Sequence, residues 1–256
     1  MNDKFAVFID IDGTLADESG INPKNAEAIL KARELGHYVF INTGRAKSWI
    51  YPELLSYISF DGIISGMGTL IEIGGKTIFE KLIDRDFVYE AAKRFLNTEN
   101  CFFISGVEHG FILNPLPFFE KWHFNTIDNP DDFKGKYKNE KIQKIEMFGR
   151  NISEDDKQFL ASHLDVYEHS VYIEASPKDC SKAKAIDTVL DYLGIDKRNS
   201  IAIGDSINDI EMLKSTGISV AVGNAIDEVK EIADFISTPC RDGGVGYAIE
   251  ELILKN

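Results

Sequence analysis

Cysteine is scarce in this sequence: Cys101, Cys180 and Cys240 are odd in number and widely scattered. That argues against a disulfide or zinc framework and fits a reducing compartment. Positive charge is also short. Lys and Arg number 28 against 42 Asp and Glu, a formal net charge of −14. No nucleic-acid partner is expected, because phosphate backbones attract basic faces. No apolar run approaches the roughly 20 residues that span a bilayer, so no membrane partner is expected either. Met1-Asn2-Asp3-Lys4 leads straight into an apolar stretch, which leaves no room for a signal peptide. A cytoplasmic protein is the simplest expectation. Internal repeats and low-complexity tracts are missing too. What is present is ordinary for a globular chain: 256 residues, 44% hydrophobic and 27% charged. Such a chain forms one large domain, or a core with a smaller domain inserted.

The stretch that organises the chain is Asp10-Ile11-Asp12-Gly13-Thr14-Leu15, directly after the apolar run Phe5-Ala6-Val7-Phe8-Ile9. The run reads as a buried strand and Gly13 as the sharp turn that follows it. Two carboxylates two residues apart at a strand's end point to one side and repel unless a cation or proton relieves them. A calcium loop of the EF-hand type needs its glycine at the sixth position, whereas Gly13 stands at the fourth. Gly75-Lys76-Thr77 likewise fails as a phosphate loop, because Leu70 stands where the first glycine belongs.

Asn22-Pro23 starts a helix that Gly36 stops, and Tyr38 to Ile41 forms a second buried strand ending at Asn42-Thr43-Gly44-Arg45. A helix from Pro52 to about Tyr57 and a strand at Gly62 to Ser65 continue the alternation. Strand–helix–strand rhythm predicts a parallel sheet with ligands beyond the carboxyl ends of its strands. Thr69 to Glu80 reads as a hairpin around Gly74-Gly75. Residues 82–177 then mix helices with alternating strands, which predicts a separate α+β unit. A helix over 182–193, the strand Ile201 to Ile203, and Gly204-Asp205-Ser206-Ile207-Asn208-Asp209 restore the parallel rhythm. From there a helix reaches Gly217, a strand covers 218–222, and a last helix covers about 245–254.

In these motifs and their order the sequence resembles the haloacid dehalogenase superfamily, most closely its Cof-type branch (subfamily IIB). The residues that carry the likeness are Asp10 to Leu15, Thr43-Gly44-Arg45, Ser181-Lys182 opening a helix, and Gly204 to Asp209. The resemblance covers essentially the whole chain. It implies an α/β fold, a Rossmann-like three-layer core with a parallel sheet, and an inserted α+β cap of the C2B type. Residues 1–81 and 178–256 would form the core and 82–177 the cap. Two positions depart from the family pattern: Met67 precedes Gly68 where Asn is usual, and Ala183 follows the motif lysine where glycine is common.

The implied activity is a magnesium-dependent phosphatase acting on sugar phosphates or similar small metabolites. A carboxylate can attack phosphorus and form an acyl phosphate. The resemblance makes Asp10 that nucleophile and Asp12 the general acid and base. Asp10, the backbone carbonyl of Asp12 and Asp205 would hold Mg2+, with Asp209 behind them. Thr43, Gly44, Lys182 and Asn208 would bind the phosphoryl group. Taken singly, Thr43 also reads as a helix cap, Lys182 as a solvated helix-start lysine, and Asp209 as an acid favoured by a helix dipole. His109, Trp122 and His123 are the cap residues singled out as substrate contacts. A phosphotransferase or mutase on a sugar phosphate, and a non-catalytic phosphometabolite-binding protein, are the alternative functions. A monomer or weak homo-oligomer is the expected state.

Overall fold

The structure is a computed structural model; residues 4–50, 52, 58–119, 124–149 and 152–255 are described. Two compact units account for the chain. The first comprises Met1–Gly44, Tyr51–Phe79 and Ser181–Asn256, and the second comprises Arg45–Ile50 and Glu80–Cys180. Along the chain the first elements are β1 (Ala6–Ile9), β2 (Ala16–Asp17), β3 (Gly20–Ile21), α1 (Pro23–Glu34), β4 (Tyr38–Asn42), β5 (Gly62–Ser65), β6 (Leu70–Ile73) and β7 (Lys76–Glu80). Next come α2 (Arg85–Phe95), β8 (Cys101–Gly106), β9 (Gly110–Leu113), β10 (Asn125–Thr126), β11 (Ile142–Phe148), α3 (Glu154–Ala161), β12 (Leu164–Glu168) and β13 (Tyr172–Pro177). The chain finishes with α4 (Lys182–Leu193), β14 (Ser200–Gly204), α5 (Ile210–Lys214), β15 (Ile218–Ala221), α6 (Asp227–Ile232), β16 (Phe235–Ile236) and α7 (Gly244–Ile249).

In the first unit eight strands form one sheet in the order β16-β15-β14-β1-β4-β5-β6-β7. Neighbours are parallel from β16 through β5, and β6 turns back antiparallel to β5. β1 is wholly buried along its length, as expected of a strand covered on both faces by crossover helices. Its Phe8 stacks on Phe40 of β4, ring centroids 5.3 Å apart. The chain leaves β1 toward β4 on one side, while β14 continues to β15 on the other. The order of connection therefore reverses beside β1, and the carboxyl end of that strand lies at a topological switch point.

Capping residues place the helices. Asn22 accepts from the Lys24 amide with Pro23 in the first turn, and Ser181 accepts from the Lys184 amide at the start of α4. Gly194, at φ +65°, closes α4 in the left-handed conformation. Lys182 is thus fixed as the first helical residue of α4.

The second unit is built on a six-stranded sheet in the order β10-β9-β8-β11-β13-β12. Its pairs are antiparallel apart from the short β10–β9 pair. One face carries Phe102, Ile104, Ile145, Met147 and Ile173, packed against Phe87 and Phe95 of α2 and Leu160 of α3. The opposite face holds a smaller apolar cluster of Cys101, Phe103, Ile112 and Phe119, joined by Trp49. Trp49 lies edge-on to Phe103 at 5.8 Å and meets Phe124 at 5.0 Å. Residues 45–50 therefore belong with the second unit. Next to that cluster the same face turns polar and stays buried at Lys144, Glu146 and Glu174.

Several local expectations differ from what is observed. α5 ends at Lys214, short of Gly217, and is preceded by a 3-10 turn at Ile207–Asp209. The last helix ends at Ile249 and continues as a π turn over Glu250–Leu254. β12 was not foreseen, because Leu164 to Glu168 gives only two alternations of apolar and polar residues on a sheet edge. The helix expected over 52–57 lies, Pro52 aside, outside the described residues. No helix among the described residues is long and apolar enough to cross a membrane.

Candidate active site

Asp10 follows β1 directly, and its amide still donates to the Ile203 carbonyl at 3.1 Å, extending the β1–β14 pairing. The chain then turns sharply, with Gly13 N donating to the Ala16 carbonyl at 2.9 Å. Gly13 sits at φ +75°, and a Cβ there would lie 2.5 Å from Asp205 Oδ2. On the facing loop a Cβ on Gly204 would lie 2.6 Å from the Asp209 Cβ. Glycine at these two positions lets the loops after β1 and β14 press their carboxylates together. Thr14 Oγ1 donates to Asp205 Oδ1 at 3.0 Å and ties the loops across the site. Asn224 Nδ2 adds a bond to the Gly13 carbonyl at 2.8 Å.

Lys182 joins the acids. Its Nζ donates to Asp10 Oδ1 at 2.6 Å and to Asp209 Oδ1 at 2.7 Å. The other oxygen of Asp209 accepts from the Asp205 amide at 3.0 Å and the Ser206 amide at 3.2 Å. Both Asp209 oxygens are thereby engaged by this chain's own donors, so Asp209 shapes the loop and holds the lysine. Asn42 Nδ2 donates to the Lys182 carbonyl at 3.1 Å and anchors the first turn of α4. Lys182 is 1% exposed and Asp10 4%, so this network is screened from solvent and its charges interact strongly.

Carboxylate oxygens of Asp10, Asp205 and Asp209 lie within 4.8 Å of one another. Three carboxylates against one ammonium leave negative charge in excess, and the titration reflects it. Burial pushes the Asp10 carboxyl up to about 7, helped by the Asp209 and Asp12 charges and opposed by Lys182. Burial and Asp209 raise Asp205 to about 6, against the Thr14 hydrogen bond and Lys182. Lys182 is itself shifted upward, since Asp10 and Asp209 outweigh its burial, and stays charged. Without added positive charge Asp10 is therefore substantially protonated near pH 7, unlike an ordinary aspartate. A hard divalent cation with oxygen ligands fits this donor set: it supplies the missing charge and reverses both upward shifts.

The remaining expected residues are placed as follows. Asp12 is exposed beside buried Asp10. Thr43 is buried past the end of β4, its amide donating to the Ile64 carbonyl at 3.0 Å and its carbonyl accepting from Met67 N at 3.2 Å. Gly44 is half-buried, and a Cβ on it would stand 3.3 Å from Met67 Sδ. Asn208 is exposed, with Oδ1 accepting from Ser206 Oγ at 2.9 Å. Asp10, Thr43, Lys182, Asp205 and Asp209 all belong to the first unit, gathered at the carboxyl ends of β1, β4 and β14 and the start of α4. His109 is exposed in the second unit and paired with Glu140 at 2.6 Å. Trp122 and His123 lie outside the described residues.

Sequence reasoning assigned no role to Thr14, Asn42 or Asn224. Thr14 and Asn42 adjoin motif residues, but only the fold shows that they bond across 191 and 140 positions of chain.

The profile of the haloacid dehalogenase-like hydrolases matches residues 7–249. The chain is 31% identical to the 5-amino-6-(5-phospho-D-ribitylamino)uracil phosphatase YcsE of Bacillus subtilis, over 97% of this chain and 95% of that protein. A crystal structure of a hypothetical protein from Geobacillus kaustophilus HTA426 superposes with a TM-score of 0.84 at 28% identity, covering 98% of this chain and 99% of that one. The subclass IIB sugar phosphatase BT4131 shares the fold at TM-score 0.75 and 24% identity, over 97% of this chain and 98% of its own. With these likenesses and the converging acids after β1 and β14, the chain belongs to the haloacid dehalogenase-like hydrolases, in their Cof-type branch, and is a phosphatase.

Proposed function

We propose that this phosphatase hydrolyses small phosphomonoesters, sugar phosphates or similar metabolites, with magnesium and through an aspartyl-phosphate on Asp10. The observation that carries the reading is the buried junction in which Lys182 Nζ grips Asp10 Oδ1 at 2.6 Å beside Asp205 and Asp209. A junction held only for stability would be better served by apolar packing, since buried ion pairs seldom repay their desolvation.

Lys182 holds one Asp10 oxygen and leaves the other to attack phosphorus, forming the P–O bond to Asp10 as the bond to the leaving oxygen breaks. Asp12, exposed next to it, gives that leaving oxygen a proton. It then takes a proton from the water whose oxygen displaces the Asp10 carboxylate and releases inorganic phosphate. Lys182, the Thr43 hydroxyl, the Gly44 amide and Asn208 bind the phosphoryl oxygens, so that positioning and charge neutralisation supply most of the rate. Asp10, the Asp12 carbonyl and Asp205 would hold the magnesium ion, whose charge removes the repulsion between carboxylate and phosphate.

The test is a phosphate-release screen across sugar and nucleotide monophosphates with magnesium. Wild type is expected to turn over a subset, excess chelator to stop it, and Asp10→Asn to abolish turnover while remaining folded. Full turnover by Asp10→Asn, or in chelator, removes the corresponding part of the reading.

A further inference from the structure

The eight-stranded sheet of the first unit has two edges, β16 and β7. β16 is two residues long, and an edge that short offers a partner little to pair with. β7 runs for five residues, Lys76-Thr77-Ile78-Phe79-Glu80, without a proline. Four of the five are exposed, the large apolar Phe79 among them. Among the described residues no strand lies beyond β7.

Hairpin geometry decides which of its backbone groups point outward. Gly74 and Gly75, both at positive φ, join β6 to β7 as a two-residue turn. In such a hairpin the flanking residues, here Ile73 and Lys76, face each other as a hydrogen-bonded pair. Lys76, Ile78 and Glu80 therefore turn their N–H and C=O groups toward β6, while Thr77 and Phe79 turn theirs to the open side. Among the described residues no backbone bond outside the sheet pairing reaches Thr77 or Phe79.

An added antiparallel strand must set its own outward residues opposite these two. A second β7, related by a twofold axis at Ile78, does so: Thr77 meets the partner's Phe79, and Phe79 meets the partner's Thr77. The same register sets Lys76 against the partner's Glu80 and repeats that pair at the other end. Opposite charges directly across an antiparallel pair favour it, and like charges oppose it. Sliding the partner by two residues either way keeps the hydrogen-bonding alternation but undoes both charge pairs. On the Thr77 face the two Phe79 residues become diagonal neighbours about 7–8 Å apart, within reach of aromatic rings. An edge guarded against pairing would carry charge of one sign, which repels a second copy. β7 carries opposite signs, placed symmetrically about Ile78.

We propose that β7 is a dimerisation edge, through which two copies of this chain pair antiparallel about Ile78 and join their sheets into one. Glu80 already accepts from Lys141 of its own chain at 2.6 Å, and a carboxylate has two oxygens with which to accept a second ammonium. Five residues a side bury less than the roughly 1,000 Å² of a stable interface, so the dimer is weak and reversible.

The test is sedimentation equilibrium of the full chain from about 5 to about 500 μM. Wild type is expected to show a reversible monomer–dimer equilibrium with a Kd on the order of 10–100 μM. Thr77→Pro removes an outward donor without touching the bonds to β6. It should weaken the dimer at least tenfold at unchanged Tm. Lys76→Glu and Glu80→Lys, each alone, set like charges at both ends and should also weaken it at least tenfold. Mixed in equal amounts, those two variants should form a heterodimer as tight as wild type, because every reversed charge then faces its opposite. A wild type that stays monomeric throughout overturns the proposal. So does a dimer that Thr77→Pro leaves intact, or a failure of the two charge variants to associate on mixing. Should Thr77→Pro not fold, the mixing experiment decides alone.

Discussion

Replacing Lys182 by methionine, similar in length and uncharged, isolates what the ammonium does. In the native protein its Nζ lies 2.6 Å from Asp10 and 2.7 Å from Asp209, at 1% exposure. Removing one partner of a buried ion pair costs about 3–5 kcal/mol. Two carboxylates lose their partner here, so the upper part of that range is expected in metal-free protein. For a chain of this size that corresponds to a fall in Tm of about 10 °C. The pH dependence gives a sharper criterion. Asp10 already titrates near 7, raised above its ordinary 3.8 by burial, and Lys182 is what holds it down. In Lys182→Met its pKa rises further. A group raised in the folded state destabilises progressively as pH climbs through its folded pKa, because the ionised form is the costly one. The deficit relative to wild type should therefore be smaller at pH 6 than at pH 8, growing by up to about 1.4 kcal/mol per pH unit for each proton involved. Urea melts in chelator at the two pH values measure it. A deficit below about 1 kcal/mol, or one equal at both pH values, refutes the electrostatic reading of the junction.

Three further outcomes follow from the same geometry. Gly13→Ala should cost at least about 1–2 kcal/mol from its left-handed backbone. It should also depress phosphate release, since its Cβ would sit 2.5 Å from Asp205 Oδ2; melts and turnover of the purified variant check both. Thr14→Val removes a hydrogen bond that opposes the rise of Asp205, already at about 6 through burial and Asp209, so its pKa should climb further. The acid limb of magnesium-induced thermal stabilisation should then move to higher pH, and an unmoved limb contradicts the assignment. Magnesium added to wild type at pH 6.5 should release protons, because Asp10 titrates near 7 and Asp205 near 6 in the absence of metal. Calorimetry in buffers of different ionisation enthalpy counts them.

Much of this site was legible in the sequence because local chemistry constrains it. Asn22-Pro23 and Ser181 cap their helices as expected. Gly74 and Gly75, at φ +57° and +76°, turn the hairpin that the alternation of residues 69–80 implied. The loops after β1 and β14 carry their acids at strand ends, where a parallel sheet exposes them. What stayed hidden was set by contacts between distant segments. Thr14 reads as an ordinary loop residue until the fold brings Asp205 to 3.0 Å. No sequence pattern announces how far burial lifts the Asp10 carboxyl above an ordinary aspartate. Lys144 and Glu146 look like solvated strand residues in a sequence. Only the register that sets Glu146 against Glu174 shows them sharing one buried face.

The central claim is that Asp10 and Asp205, 195 positions apart in sequence, share one divalent cation. It is tested most directly by crystals grown with manganese and measured at its absorption edge. One anomalous peak bonded to carboxylate oxygens of both residues, and lost in Asp205→Asn, is the expected result. A peak elsewhere, or none at a manganese concentration that supports full turnover, contradicts it.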